Sequence, residues 1–198
     1  MKKSKQWVLN RLDQWYLQRF ERGFTPELAS QHRNSLVEIV EGENFPPEEK
    51  EPILQAFSIE QIRAIVGQTF SAFYHTFENT QSYDSLPKGI REEYVEPMLK
   101  EFRKMHLFVG EVRKTADEKF PEDLSDADIE ESFKKAYGNW RGYADFMKSV
   151  MNASNMTIEL LHMQKKLSDK EYNLALKIMN YNQEFAYTLT ERIFGDLS

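Results

Sequence analysis

Apolar residues recur every three or four positions over long stretches of this chain, which is the spacing of one face of an α-helix. A helix with such a stripe must bury its apolar face against another helix. No segment carries a convincing strand signal, so the pattern predicts an all-α protein. The two longest stripes are Val95, Met98, Phe102, Met105, Val109, Val112 and Ala116, and Phe133, Tyr137, Trp140, Ala144, Met147 and Met151.

Capping residues and prolines predict where these helices begin and end. They divide the chain into about eight helices, four of them long, which we expect to form a single-domain helical bundle. Residues 1–57 are a candidate N-terminal subdomain and residues 58–198 the main bundle. The expected helices run over about 4–22, 25–41, 47–56, 58–77, 88–119, 125–152, 155–167 and 168–194.

At two places the sequence does not decide whether a helix is continuous. Pro97 lies inside the segment 88–119, where it should either kink the helix or mark the true start of a second one. Gly138 and Gly142 lie four residues apart among large aromatics, and each costs about 1 kcal/mol relative to Ala in a helix interior. We expect close packing of another helix at these glycines. The alternative is a break in the helix, with the aromatics lining a pocket.

Composition narrows the class of protein. Apolar residues make up 40% and charged residues 29%, the balance of a folded soluble domain. The absence of cysteine excludes disulfides, thiolate metal sites and cysteine nucleophiles. Lys2, Lys3 and Lys5 precede a stretch broken by polar residues, so no signal peptide is expected, and no apolar run suits a membrane span. We expect a cytoplasmic protein.

Charge is unevenly distributed along the chain, whose net charge is −6. Residues 1–34 carry seven basic side chains and three acidic ones, whereas residues 35–60 carry seven glutamates and only Lys50. We expect the two segments largely to neutralise each other in the fold. Glu38, Glu41 and Glu43 stand where a DNA-reading helix would need Arg or Lys, so nucleic-acid binding is disfavoured.

No assembled catalytic set is evident, and neither a cofactor nor a metal is predicted. Phosphate loops, nucleophile elbows and zinc-protease motifs are missing from the sequence. A di-metal carboxylate bundle needs two Glu-x-x-His units, and this chain has one, Glu159 to His162. We therefore assign no catalytic residue, and a metal-dependent helical enzyme stays a distant alternative, as does a DNA-binding regulator.

Some side chains are candidates for binding. Aromatics at helical spacing most often form plain core, but Phe73, His106, Tyr137 and Trp140 would suit an apolar pocket for a small molecule. Four further residues are assigned to packing or to an interface: Val109, Gly138, Gly142 and Asn182. A buried Asn182 would fix the register of its helix or hold the polar end of a ligand.

The favoured function is a non-enzymatic regulatory or protein–protein interaction protein that acts through amphipathic helical surfaces. Its partner would be another protein or a second copy of the chain. We expect Val109→Asp to abolish folding or dimerisation. The first alternative is a small-molecule sensor whose aromatic pocket lies between helices.

Overall fold

The structure is a computed structural model that describes residues 5–58, 83–119 and 124–198. These residues contain helices and no strand, which confirms the predicted all-α class. The expected helix 58–77, with Phe73, lies outside the described residues. In chain order the helices are α1 (Lys5–Gly23), α2 (Pro26–Glu41), α3 (Pro47–Ala56), α4 (Glu96–Glu118), α5 (Asp126–Tyr137), α6 (Trp140–Met163) and α7 (Asp169–Phe194).

Two capping boxes fix the starts of α5 and α7 where the sequence predicts them. Before α5, the Asp128 amide donates to Ser125 Oγ at 3.3 Å, and the Ser125 amide donates to Asp128 Oδ2 at 3.0 Å. Ser168 and Glu171 make the same reciprocal pair before α7, at 3.3 and 2.8 Å. Each box satisfies amides that the first helical turn leaves unpaired.

Pro97 marks the start of α4. This is one of the two possibilities that the sequence allowed, the other being a kink within one helix. A single helical turn, Lys88–Ile90, leads into a π-helical segment, Arg91–Val95, and α4 begins at Glu96. The Glu96 amide bonds to the Arg91 carbonyl, five residues back. A proline cannot donate such a bond. The π-helical turn therefore lies directly before Pro97, which cannot donate a hydrogen bond of the regular α-helical pattern.

The expected continuous helix 125–152 is broken into α5 and α6. Gly138 ends α5 with φ +78°, a backbone conformation that residues with a Cβ rarely adopt. Asn139 Oδ1 then accepts from the amides of Arg141 and Gly142 at 2.9 and 3.3 Å, which caps the start of α6. A Cβ on Gly142 would lie 2.9 Å from the carbonyl carbon of Tyr137. The close approach at Gly142 is thus to Tyr137, the last residue of α5, across the turn that joins α5 to α6.

The expected separate helix 155–167 is also different in the structure. It is the continuation of α6, which runs without interruption to Met163. In the run 151–156, where the boundary was expected, Met151, Asn155 and Met156 are all buried. No proline lies in this run, so nothing forces the helix to stop.

The described chain forms two compact units, each assembled from separate segments. The first comprises residues up to Thr25, Lys100–Phe146 and Tyr187–Ser198. At its core Phe133 is fully buried, with ring centroids 5.0 to 5.9 Å from those of three other aromatics, Trp15, Phe108 and Phe194. The predicted division near residue 57 stays a prediction.

The second unit comprises Pro26–Leu99 and Met147–Ala186. One apolar cluster joins α2, α3 and α7 through five buried residues: Leu36, Val40, Leu54, Leu174 and Ile178. A second cluster joins Ile90, Val95 and Met156. In neither unit, within the described ranges, is any helix long and apolar enough to cross a membrane.

Candidate functional site

An open groove of about 420 Å³ lies in the second unit, between α3 and the first half of α7. We call it the α3–α7 groove. Helix α3 contributes residues 48, 49, 52 and 53, which share one helical face, and α7 contributes 171, 174 and 175. Phe45 and Phe57 flank α3, and Leu167 comes from the connection before α7. The groove is therefore built where three connections and two helices meet.

The α3–α7 groove has an apolar floor and an acidic rim. The floor consists of Phe45, Pro52, Ile53, Phe57, Leu167, Leu174 and Ala175, of which Leu174 and Ala175 are buried and the others are partly buried or exposed. The rim consists of Glu48, Glu49 and Glu171, all exposed. Partly exposed aromatic and aliphatic side chains around a concave surface are typical of a binding site.

Polar contacts hold the segments that border the α3–α7 groove. Lys177 on α7 forms an ion pair with Glu43, and Arg33 on α2 pairs with Glu51 on α3 at 3.2 Å. Lys170 donates to the Asn44 carbonyl, and its ammonium lies 4.1 Å from the centroid of the Phe45 ring. The contacts of Lys177 and Lys170 tie the loop before α3 to α7, so Phe45 is held in position within the floor.

All three rim glutamates lie in the first turn of a helix. Hydrogen bonds from the Ser168 hydroxyl and amide hold the pKa of Glu171 below its usual value. Glu48 and Glu49 lie in the first turn of α3, where the helix dipole favours a negative charge. Neither forms a salt bridge within the described part of the chain. The rim therefore presents carboxylates to whatever enters the groove.

The residues predicted to line a ligand pocket are dispersed, and none of those described lines the α3–α7 groove. Phe73 lies outside the described residues. His106 is exposed, with its ring 6.4 Å from that of Phe102. Tyr137 and Trp140 are buried, Tyr137 among aromatics and Trp140 against Tyr187, whose ring is 5.2 Å away. Burial, with Glu101 nearby, raises the pKa of Tyr137. Their assignment to a ligand stays a prediction.

Asn182 is fully buried on α7 and contacts α2. Its Oδ1 lies 2.7 Å from His32 Nε2, and the His32 ring packs on Phe185 with centroids 4.4 Å apart. Among the described residues, Asn182 Nδ2 has no hydrogen-bond partner. A hydrogen bond between buried side chains of two helices can fix their relative register, and this role of Asn182 stays a prediction. Val109 is half-buried on α4, and its interface role stays a prediction.

Glu159 and His162 have different partners. Tyr172 donates to Glu159 Oε2 at 2.5 Å, a bond that raises the tyrosine pKa to about 12. His162 Nε2 lies 2.9 Å from Asp169, and the imidazole stacks on Tyr172 with centroids 4.0 Å apart. These contacts fasten the end of α6 to the start of α7. Within the described ranges, no group of three or more His, Cys, Asp or Glu side chains is arranged to hold a metal.

Pairing of the basic and acidic segments is only partial. Arg33 does pair with Glu51 of the acidic segment. Arg11 pairs with Asp126, and the buried Arg19 pairs with Glu130 and Asp196, all outside residues 35–60. The acidic segment therefore has carboxylates with which none of these arginines pairs, among them those of Glu48 and Glu49 on the rim.

Sequence reasoning missed the α3–α7 groove because it treated residues 47–56 only as a short connecting helix. Two signals were present: the glutamate excess of residues 35–60, and the apolar pair Ile53 and Phe57 four residues apart. Comparison of the chain with protein-family models, with curated proteins and with solved structures finds no match.

Proposed function

We propose that this protein is a non-enzymatic interaction protein whose α3–α7 groove binds an amphipathic helix of a protein partner. The observation that carries the proposal is the groove itself, an apolar floor that stays partly open beside exposed carboxylates. Helix-in-groove recognition uses this kind of surface, with apolar side chains of the partner as anchors.

The openness of the groove favours a segment of a larger partner over a small molecule. A pocket for a small ligand usually buries about 70–90% of that ligand. The α3–α7 groove is partly open to solvent, so part of any occupant stays uncovered. An amphipathic helix needs cover on one face only, and its polar face can remain in water.

The length of the floor fits a short helix. Along α3 the lining residues extend from Glu48 to Phe57, about 13 Å at about 1.5 Å per residue. Anchors at positions i, i+3 or i+4, and i+7 of a partner helix span about 10 Å. About two turns of such a helix therefore match the floor.

Binding of a neutral amphipathic peptide tests this function. The probe is a fluorescent peptide of about 15 residues with Leu at positions i, i+3, i+4 and i+7 and Gln elsewhere. We expect saturable binding to the wild type. Leu167→Asp should weaken it by about tenfold to a hundredfold, because burying one leucine side chain is worth about 1.5–3 kcal/mol.

Leu107→Asp is the matched control, because it makes the same change at a leucine on α4 that is 47% exposed and lies outside the groove. It should leave the dissociation constant unchanged. Absence of saturable binding to the wild type would refute the proposal, as would equal losses in the two variants.

A small-molecule sensor is the second candidate, and the volume of the groove favours it. The volume, about 420 Å³, falls within the range of about 300–1,000 Å³ found for ligand pockets. Native mass spectrometry of gently purified protein distinguishes the two. A retained mass of a few hundred daltons per chain that disappears in Leu167→Asp would favour the sensor, and a clean polypeptide mass favours the interaction protein.

A further inference from the structure

From the charge around the α3–α7 groove we infer that its partner helix is basic, with Lys or Arg flanking the apolar anchors. The inference rests on the proposed function and names the chemistry of the partner. Three carboxylates, those of Glu48, Glu49 and Glu171, border an apolar floor. A helix with leucine-like anchors and cations beside them is complementary to both parts of this surface.

Three cations near the groove are engaged with other groups. Lys177 pairs with Glu43 and Arg33 pairs with Glu51, so these two acids are neutralised. Lys170 donates to a backbone carbonyl of the preceding loop and lies over the Phe45 ring. The positive ends of α3 and α7 offset part of the charge on the rim. The surrounding segment nevertheless has seven glutamates against a single lysine over residues 35–60.

The test compares three peptides with one Leu pattern, in which the remaining positions are Lys, Gln or Glu. We expect the Leu/Lys peptide to bind the wild type at least about tenfold more tightly than the Leu/Glu peptide, a difference of about 1.4 kcal/mol. Its affinity should fall as salt is raised, because the contacts at the rim are exposed. The double variant Glu48→Lys/Glu49→Lys should remove this preference.

Two controls keep the test interpretable. Asp13→Lys/Glu118→Lys changes the net charge equally, from −6 to −2, at exposed acids in the other unit, and should keep the preference. Glu48→Gln/Glu49→Gln keeps the side-chain size and should reduce the preference to an intermediate value, with circular dichroism as the check on helix content.

The outcomes separate this inference from the proposed function. Equal affinity for the Lys and Glu peptides, or equal loss in the rim variant and its charge-matched control, would overturn the basic partner. The proposed function would still stand if the Leu/Gln peptide bound and Leu167→Asp weakened it. Failure of all three peptides to bind would refute both.

Discussion

Replacement of Gly142 by alanine should destabilise the protein through the turn between α5 and α6. The added Cβ would lie 2.9 Å from the carbonyl carbon of Tyr137, a backbone atom that cannot rotate away. Relieving the overlap must move the turn, at a cost of about 1–3 kcal/mol. The movement also loosens the cap that Asn139 provides, which is worth about 1 kcal/mol.

The expected total is a loss of about 2–4 kcal/mol in the free energy of unfolding. For a chain of this size about 1 kcal/mol corresponds to about 2–4 °C, so Tm should fall by about 4–16 °C. Differential scanning calorimetry measures the shift, and urea unfolding gives the free energy independently.

Gly110→Ala is the matched control. Gly110 lies inside α4, and a Cβ added there meets nothing within 4 Å. The same substitution should therefore raise the free energy of unfolding by about 0.5–1 kcal/mol through helix propensity. A Gly142→Ala protein as stable as the wild type, or two alanine variants that shift Tm in the same direction, would refute the steric argument.

Two further substitutions test other parts of the fold. Asn182→Leu removes the acceptor that lies 2.7 Å from the buried His32 Nε2, and urea unfolding should show a loss of about 1–3 kcal/mol; an unchanged midpoint would contradict this role. Asp128 has its pKa lowered from 3.8 to about 2, chiefly by the Lys119 hydrogen bond and then by Ser125. Its stabilisation is complete above its unfolded pKa of about 3.8 and is lost as pH falls toward about 2, so Asp128→Asn should flatten the decline of the urea midpoint over this range. An equally steep decline in the variant would exclude this contribution.

Local signals in the sequence predict most helix boundaries because the groups that set them are close in the chain. Ser125 with Asp128 and Ser168 with Glu171 form their capping boxes within one turn. Pro97 likewise acts on the turn that precedes it. Such effects need no knowledge of distant residues, so the pattern alone is enough to find them.

The sequence allowed two structures after Tyr137, a continuous helix or a break, because a glycine pair permits either close packing or a turn. The turn is stabilised by Asn139, whose side chain can cap a helix but can also lie exposed within one. Local pattern cannot choose between these alternatives. The contact of the Trp140 amide with the Leu197 carbonyl, at 3.1 Å, joins positions far apart in the sequence.

The α3–α7 groove was beyond sequence reasoning for the same reason. Its floor brings Ile53 and Phe57 near Leu167 and Leu174, more than a hundred residues later in the chain. Each is an ordinary helix or loop apolar residue by pattern, and only the fold reveals that Ile53, Phe57 and Leu167 remain partly open together beside the buried Leu174. The acidic excess of residues 35–60 was visible, but its place on the rim was not.

Methyl NMR is the most direct test of the claim that the α3–α7 groove is a docking site. Protein labelled at Ile and Leu methyls would be titrated with the neutral Leu/Gln peptide. We expect saturable shifts at Ile53, Leu167 and Leu174, with Ile90 in the other apolar cluster unchanged. Shifts that are absent, or as large at Ile90 as at Ile53, would contradict it.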